Sequence, residues 1–117
     1  MALIEERDAD VYTCIVAVEE TLQGWLALLH RLRAGRDQLA AYAKLQKCVE
    51  ALLTLNILQF DEQAAGLYHD LRRELPRLGT MDLKIAAICI AHEATLLSRN
   101  LRDFEKVPGL RVENWLD

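Results

Sequence analysis

Residues 81–92 read MDLKIAAICIAH, and residues 95–98 follow as TLLS. The first stretch is apolar on nearly every side of a helix, with Leu83, Ile85 and Ile88 among its large side chains. A helix that is apolar all round belongs in a protein core, packed against a sheet or between helices. The second stretch is short and apolar, and it predicts a strand. We therefore expect a buried helix that leads directly into a strand.

Three other short apolar segments predict further strands. Residues 10–18 read DVYTCIVAV and are rich in β-branched residues, which is typical of a strand buried on both faces. Residues 57–60 and 110–113 read ILQF and LRVE, and the latter is expected to form an edge strand after the Pro108-Gly109 turn. Short strands that alternate with helical segments indicate an α/β fold with a mostly parallel sheet.

Apolar side chains at three- and four-residue spacing predict two amphipathic helices between the first two strands. The first helix begins at Val18 and ends near Gly35, and the second covers residues 36–54. We expect the two helices to form a hairpin. The inner face of the second helix is predicted to carry Leu39, Tyr42, Leu45, Val49 and Leu52.

Polar side chains that can cap helices mark the next two helices. Asp61 is a candidate N-cap for a helix that ends before Pro76. Thr80 is predicted to cap the buried helix that follows. Residues 100–107 are polar and are expected to hold a short helical turn.

Composition limits the class of protein. The chain has 117 residues, 52% of them hydrophobic and 27% charged, which fits a single domain over residues 1–117. The net charge of -4 excludes a generally basic nucleic-acid binder, although a site that holds metal ions through carboxylates is itself acidic. The sequence has neither a signal-peptide pattern nor an apolar run of bilayer length, so we expect a cytoplasmic protein with no membrane partner.

Several catalytic and metal-binding patterns are absent from the sequence. The three cysteines, Cys14, Cys48 and Cys89, lie in separate apolar runs, which predicts buried reduced thiols. No two of them form a CxxC pair, so a structural zinc site has no support. His92 and Glu93 begin like the HExxH zinc-protease motif, but Leu96 stands where the second histidine should be. The chain also has no glycine-rich phosphate loop.

Acidic side chains follow the predicted strands or begin the buried helix. Glu20 is in the predicted first turn of the helix that follows the first strand, and Asp103 also comes after a strand. Both should therefore lie near the carboxyl ends of the strands, where sites form in such sheets. Asp82 is in the first turn of the buried helix, and Asn100 follows the strand before Asp103. Three converging oxygen ligands would suit Mg²⁺ or Mn²⁺. The helix dipole favours an acidic residue in a first helical turn without any further function, and Glu19 could serve in place of Glu20. The run RDFEK around Asp103 is an ordinary charged surface sequence.

Three segments resemble PIN-domain ribonucleases of the VapC toxin type. Residues 94–115 read ATLLSRNLRDFEKVPGLRVENW, in which N-x-x-D-F followed by V-P-G-L is the specific part. Residues 79–87 read GTMDLKIAA and are similar to the family segment with a metal-binding aspartate at the start of a buried helix. Residues 15–25 read IVAVEETLQGW and resemble a family motif in which a glutamate lies four residues before a glycine. That spacing selects Glu20, with Gly24 as the glycine.

This resemblance covers nearly the whole chain and implies both a fold and an activity. It implies a PIN-like three-layer fold in which Glu20, Asp82 and Asp103 are catalytic and hold one or two Mg²⁺ or Mn²⁺ ions, with Asn100 as a helper. It also implies hydrolysis of RNA phosphodiesters and a small antitoxin protein as partner.

The beginning of the chain departs from the family pattern. PIN domains open with an apolar strand that ends in an aspartate, written L-D-T-N or L-D-T-D, and this sequence lacks that segment. Asp8 and Asp10 precede the next strand, so neither is taken as the replacement. We expect an N-terminally truncated domain with its first strand missing, through either a late assigned start or a degraded gene. Because unpaired inner strand edges are costly, contacts in a homodimer or a rearrangement should fill the gap.

Three hypotheses about function remain open on the sequence. The first is a metal-dependent endoribonuclease of the VapC toxin type, or a remnant of one. The second is a non-catalytic PIN-like protein that acts through contacts with a partner or with itself. The third is an all-α regulatory bundle, which would require the predicted strands to be wrong.

Overall fold

The computed structural model describes residues 3–5, 11–33, 35–98 and 101–114. These residues form five strands and five helices, in the order β1 (Leu3–Glu5), β2 (Val11–Cys14), α1 (Ile15–Arg31), α2 (Leu39–Leu52), β3 (Asn56–Leu58), α3 (Glu62–Glu74), α4 (Thr80–Ala91), β4 (Thr95–Leu97), α5 (Leu101–Phe104) and β5 (Arg111–Glu113). The predicted alternation of strands and helices is confirmed, and the all-α bundle is excluded.

The five strands form one sheet in the order β3-β2-β1-β4-β5. β2 pairs with β3 in parallel, and β4 pairs with β5 in parallel. β1 is antiparallel to both of its neighbours, with Ile4 opposite Tyr12 of β2 and opposite Leu96 of β4. Four of the five strands therefore run in one direction, which confirms the mostly parallel sheet, and β5 lies at an edge as predicted.

The reversed direction of β1 follows from the length of the connection to β2. Glu5 pairs with Val11, so only residues 6–10 join the two strands. A connection of that length can close a hairpin, whereas a parallel crossover needs a dozen residues or more. A short reversed strand thus lies between β2 and β4 at the centre of the sheet. The expected truncation, and the homodimer contacts or rearrangement expected to compensate for it, stay predictions.

The boundary between β2 and α1 lies earlier than predicted. The strand expected over residues 10–18 ends at Cys14, whose backbone is extended, and the helix begins at Ile15 rather than at Val18. The β-branched residues after Cys14 suit a buried strand and a buried helix equally well, and packing decides between them. Val16 and Ala17 are buried as part of the helix, and the Thr21 hydroxyl donates to the Ala17 carbonyl oxygen at 2.9 Å.

Helix α4 is at the centre of the core, as its sequence predicts. Six consecutive or nearly consecutive residues are fully or almost fully buried: Leu83, Ile85, Ala86, Ala87, Ile88 and Cys89. α4 packs against both α1 and α3. The predicted N-cap of α3 is also confirmed, because the Asp61 side chain accepts a hydrogen bond from the Ala64 backbone N–H at 2.9 Å.

The predicted inner face of α2 is wrong. Leu39 and Tyr42 are 67% and 55% exposed, and Val49 is 40% exposed, while Leu52 is buried. α2 packs mainly against α1, so only part of its apolar face is covered. The hairpin turn is closed by Gln38, whose side-chain amide donates to the carbonyl oxygens of residues 29 and 32, each at 2.9 Å. The α1–α2 hairpin therefore exposes apolar side chains that the sequence pattern assigns to the core.

Candidate metal centre

Asp82 lies at the start of the central helix. α4 begins at Thr80, Gly79 is its N-cap residue, and Asp82 is in its first turn. The Asp82 Oδ2 atom lies 3.7 Å from the position that a Cβ on Gly79 would take, so the carboxylate folds back over the helix start. The prediction that Thr80 caps this helix is wrong, since Thr80 is the first helical residue and no side chain makes a capping hydrogen bond.

Asp103 reaches the same region from a different element. It lies on α5, which follows β4 in the chain. α4 turns into β4 through residues 92–94, so the start of α4 and the carboxyl end of β4 lie at the same end of the sheet. Lys106 is an ion-pair partner of Asp103, with 4.0 Å between Nζ and the Asp103 Oδ1 atom. The structure thus brings two of the predicted acidic residues to one edge.

Burial raises the pKa of the Asp82 carboxyl above its usual value, and the negative charge of Asp103 raises that pKa further. Both causes disfavour the ionised form, because burial removes water and a neighbouring carboxylate adds repulsion. A divalent cation between the two side chains would relieve both costs. Oxygen donors of this kind fit Mg²⁺ or Mn²⁺ and fit softer metals poorly.

Glu20 occupies a different position from the one predicted. Because α1 begins at Ile15, Glu20 falls in the second turn, and the first turn of α1 contains no acidic residue. Its side chain is exposed, and its charge is the smallest of the contributions to the pKa of Cys14, at the end of β2. Asp103, not Glu20, is the acidic residue that raises the pKa of Asp82.

The described residues contain two converging carboxylates and not a complete metal site. Within residues 3–5, 11–33, 35–98 and 101–114, no three His, Cys, Asp or Glu side chains are grouped closely enough to hold a metal ion. Asn100, the predicted helper, lies outside the described residues, as do Asp8 and Asp10. The assignment of Glu20, Asp82, Asp103 and Asn100 as metal ligands therefore stays a prediction.

Lys106 is a residue of this region that sequence reasoning missed. The run RDFEK around Asp103 has the composition of an ordinary charged surface. The signal that could have identified Lys106 is its spacing of three residues from Asp103, which places both side chains on one side of a helical turn.

The cysteines do not offer a nucleophile at this site. Burial raises the pKa of the Cys14 and Cys89 thiols, so both remain protonated and unreactive at neutral pH. All three cysteines are free, and Cys48 is only half-buried. The prediction of reduced thiols agrees with this structure, although only two of the three are fully buried. Among the helices that the structure describes, none combines the length and apolar content that a bilayer crossing requires.

The fold and the paired aspartates define the class of protein: an α/β protein with an acidic site at one end of a mostly parallel sheet. The PIN domain family model matches residues 1–110, and the chain belongs to that family. "Ribonuclease VapC2" of Rickettsia felis is 38% identical over 68 residues, which cover 55% of this chain and 51% of that protein. "tRNA(fMet)-specific endonuclease VapC" of Salmonella typhimurium is 31% identical over 94 residues, 77% of this chain and 71% of that protein.

Solved structures support the same assignment. VapBC2 from Rickettsia felis, bound to a DNA fragment from its promoter, has a TM-score of 0.68 at 28% identity, over 89% of this chain and 74% of that one. DNA-bound VapBC from Salmonella typhimurium has a TM-score of 0.69 at 28% identity, over 86% of this chain and 71% of that one. The alignment with the Rickettsia felis ribonuclease spans only about half of that protein's length.

Proposed function

We propose that this chain is a metal-dependent endoribonuclease of the VapC toxin type, or a remnant of one, that hydrolyses RNA phosphodiesters. The observation that carries the proposal is the Asp82–Asp103 pair, in which burial and like charge destabilise the ionised form of Asp82. The cost of such a pair is offset when a hard divalent cation binds between the carboxylates. The names of the relatives agree with RNA as the substrate.

Each predicted ligand has a role in this proposal. Asp82 and Asp103 would hold one Mg²⁺ or Mn²⁺ ion directly. Glu20, in the second turn of α1, and Asn100, which follows β4 in the sequence, would complete its coordination. When bound, the ion activates a water molecule and neutralises charge on the phosphate under attack. Lys106 offsets part of the Asp103 charge in the metal-free protein, because its ammonium lies 4.0 Å from the carboxylate.

Asp103→Asn should reduce metal-dependent RNA cleavage by about 100-fold, because the amide carries no charge to balance a divalent cation. The measurement is the rate of cleavage of a fluorescent RNA in Mn²⁺, with EDTA as the blank. The matched control is Asp70→Asn, which removes the same charge from an exposed position on α3. Equal rates in Asp103→Asn and the wild-type protein would contradict the proposal.

The alternative is a non-catalytic PIN-like interaction protein. Two observations favour it, namely the reversed β1 at the centre of the sheet and the exposed apolar side chains of the α1–α2 hairpin. The two functions differ in their requirement for metal. If the chain is a ribonuclease, isothermal titration calorimetry with Mn²⁺ should give a binding heat that disappears in Asp103→Asn. If it is an interaction protein, the wild-type chain should give no binding heat.

We propose that a small antitoxin protein covers the outer face of α1, and that the pair acts in the cytoplasm. A groove of about 540 Å³ runs beside this helix, and its lining is mostly apolar: Ile15, Val16, Val18, Glu19, Leu22, Gln23, Leu26, Phe60 and Lys84. Lys84 lies over the rings of Phe60 and Tyr68, at 5.9 and 5.6 Å from their centroids, so its position is held. An amphipathic segment with an acidic residue opposite Lys84 is the partner that fits this surface.

We further propose that α2 forms the contact of a homodimer. Leu53 is 81% exposed directly after α2, and Leu39 is 67% exposed at its start. Leu53→Glu should shift the protein toward the monomer, because a charge placed in an apolar contact must be desolvated. Light scattering at matched concentrations measures the mass. Lys47→Glu, also exposed on α2, is the control for a charge change, and a Leu53→Glu protein of unchanged dimeric mass would exclude this interface.

A further inference from the structure

A second cleft lies beside Asp103. Its volume is about 330 Å³, and it is lined by Glu74, Leu75, Pro76, Arg77, Leu78 and Lys106. Five of these residues belong to the end of α3 and the loop that leads to α4, and Lys106 follows α5. Lys106 connects the cleft to the acidic site, because its Nζ is 4.0 Å from the Asp103 Oδ1 atom. We call this feature the loop cleft.

Two hydrogen bonds and two half-buried leucines hold the wall of the loop cleft in place. The Leu78 N–H donates to the Leu75 carbonyl oxygen at 3.2 Å, which closes the turn around Pro76. The Arg72 guanidinium donates to the Pro76 carbonyl oxygen at 3.3 Å from the last turn of α3. Leu75 and Leu78 are half-buried against the core. These contacts form the apolar wall in the free chain.

The lining combines three kinds of chemistry within a small space. The loop cleft has an apolar wall, two cationic side chains in Arg77 and Lys106, and one carboxylate in Glu74. A nucleotide offers the complementary groups, which are a flat base, an anionic phosphate and, on some bases, an amino donor. The volume is near the low end of the range of about 300–1,000 Å³ for small-molecule sites, which suits a single nucleotide.

We propose that the loop cleft binds one nucleotide of the RNA, next to the phosphodiester held at Asp82 and Asp103. The base lies against the wall of residues 75–78, and Arg77 and Lys106 contact the neighbouring phosphate. Glu74 accepts a hydrogen bond from an exocyclic amino group, which favours cytidine over uridine. This inference rests on the proposed function for its substrate, and it assigns the contact that selects one base beside the cut.

The first test measures RNA binding separately from cleavage. Fluorescence anisotropy of a short labelled oligocytidine is recorded in EDTA, with the Asp82→Asn protein as the parent. Arg77→Ala should weaken binding about tenfold, as expected for the loss of one charge-assisted hydrogen bond. The salt dependence should also fall by about 0.7 in log K against log salt. Arg73→Ala removes the same charge from a neighbouring cleft shared with Asp70 and Glu74, and it should change the affinity less than twofold.

The second test concerns the base. The parent protein should bind oligocytidine several-fold more tightly than oligouridine, and Glu74→Ala should remove that preference. Equal losses in Arg77→Ala and Arg73→Ala, an unchanged base preference in Glu74→Ala, or no RNA binding at all would each overturn the proposal. If Arg77→Ala cleaved RNA at the same rate as the wild-type protein, the nucleotide site in the loop cleft would be rejected and the proposed ribonuclease function would stand. If RNA bound through Arg77 but was not cleaved, the nucleotide site would stand and the proposed ribonuclease function would be rejected.

Discussion

Asp82→Asn should abolish metal-dependent RNA cleavage and should raise the midpoint of thermal unfolding at neutral pH. The loss of activity should exceed about 100-fold, beyond the roughly 10- to 100-fold typical of residues that only support metal ligands. The gain in stability has a separate cause. Burial and the charge of Asp103 raise the pKa of Asp82, so the ionised carboxylate is less favourable in the folded protein than in the unfolded chain.

The pH dependence of this gain has a defined sign. A raised pKa means that the protonated form of Asp82 stabilises the fold, fully so below the ordinary value of 3.8. That contribution is lost as the pH rises through the raised pKa of the folded protein. The difference in stability between Asp82→Asn and the wild-type protein should therefore be small near pH 3 and largest at neutral pH.

A competing effect at the same position has the opposite sign. Asp82 is in the first turn of α4, where the helix dipole favours a carboxylate by roughly 0.3–1 kcal/mol. Burial and the charge of Asp103 act in the opposite direction. An asparagine amide at this position loses the favourable dipole contribution and is relieved of the two unfavourable ones, so a raised midpoint requires the unfavourable contributions to be the larger.

Thermal unfolding measured by circular dichroism, with and without Mn²⁺, checks this prediction. Mn²⁺ should raise the midpoint of the wild-type protein, because a ligand that binds only the folded state stabilises it. The midpoint of Asp82→Asn should not respond to Mn²⁺, and Asp70→Asn should respond like the wild-type protein. A lower midpoint for Asp82→Asn at neutral pH, or full retention of cleavage, would contradict the role assigned to this carboxylate.

Ile4→Ala should lower the free energy of unfolding by about 2–5 kcal/mol, which is the range for truncating a fully buried Ile. Ile4 has no exposed surface, and β1 holds it between Tyr12 and Leu96 at the centre of the sheet. A single short strand thus supplies the apolar contact that joins β2 to β4. Removal of its one buried side chain leaves a cavity that neither neighbouring strand can fill.

Urea unfolding followed by fluorescence measures this loss. Leu26→Ala is the control, because Leu26 is 50% exposed on α1, outside the proposed dimer contact, and its truncation should change the stability by about 0.5 kcal/mol or less. If Ile4→Ala unfolds at the same urea concentration as Leu26→Ala, the reversed strand contributes nothing to the sheet. The gap between β2 and β4 would then have to be closed in another way.

Much of the candidate site could be anticipated from residues alone. The position of Asp82 at the start of an all-apolar helix, and that of Asp103 after a strand, follow from patterns of a few residues. Their convergence follows from the rule that sites form at the carboxyl ends of parallel strands. Glu20 was placed in the wrong turn because its helix begins earlier than its sequence suggests. Lys106 was missed because only the structure shows its ion pair with Asp103, although the two residues are three positions apart in the sequence.

The sequence by itself determined the local features: the buried helix α4, the Asp61 cap, and the order of strands and helices from β2 onwards. Each depends on contacts within a few residues or on hydrophobic periodicity, which the chain carries with it. Only the tertiary structure decided where β2 gives way to α1, because residues 15–18 suit both states and burial selects one. It also decided the direction of β1 and the exposure of α2. Those two features depend on which surfaces are available for packing, and periodicity within a segment contains no information about its partners.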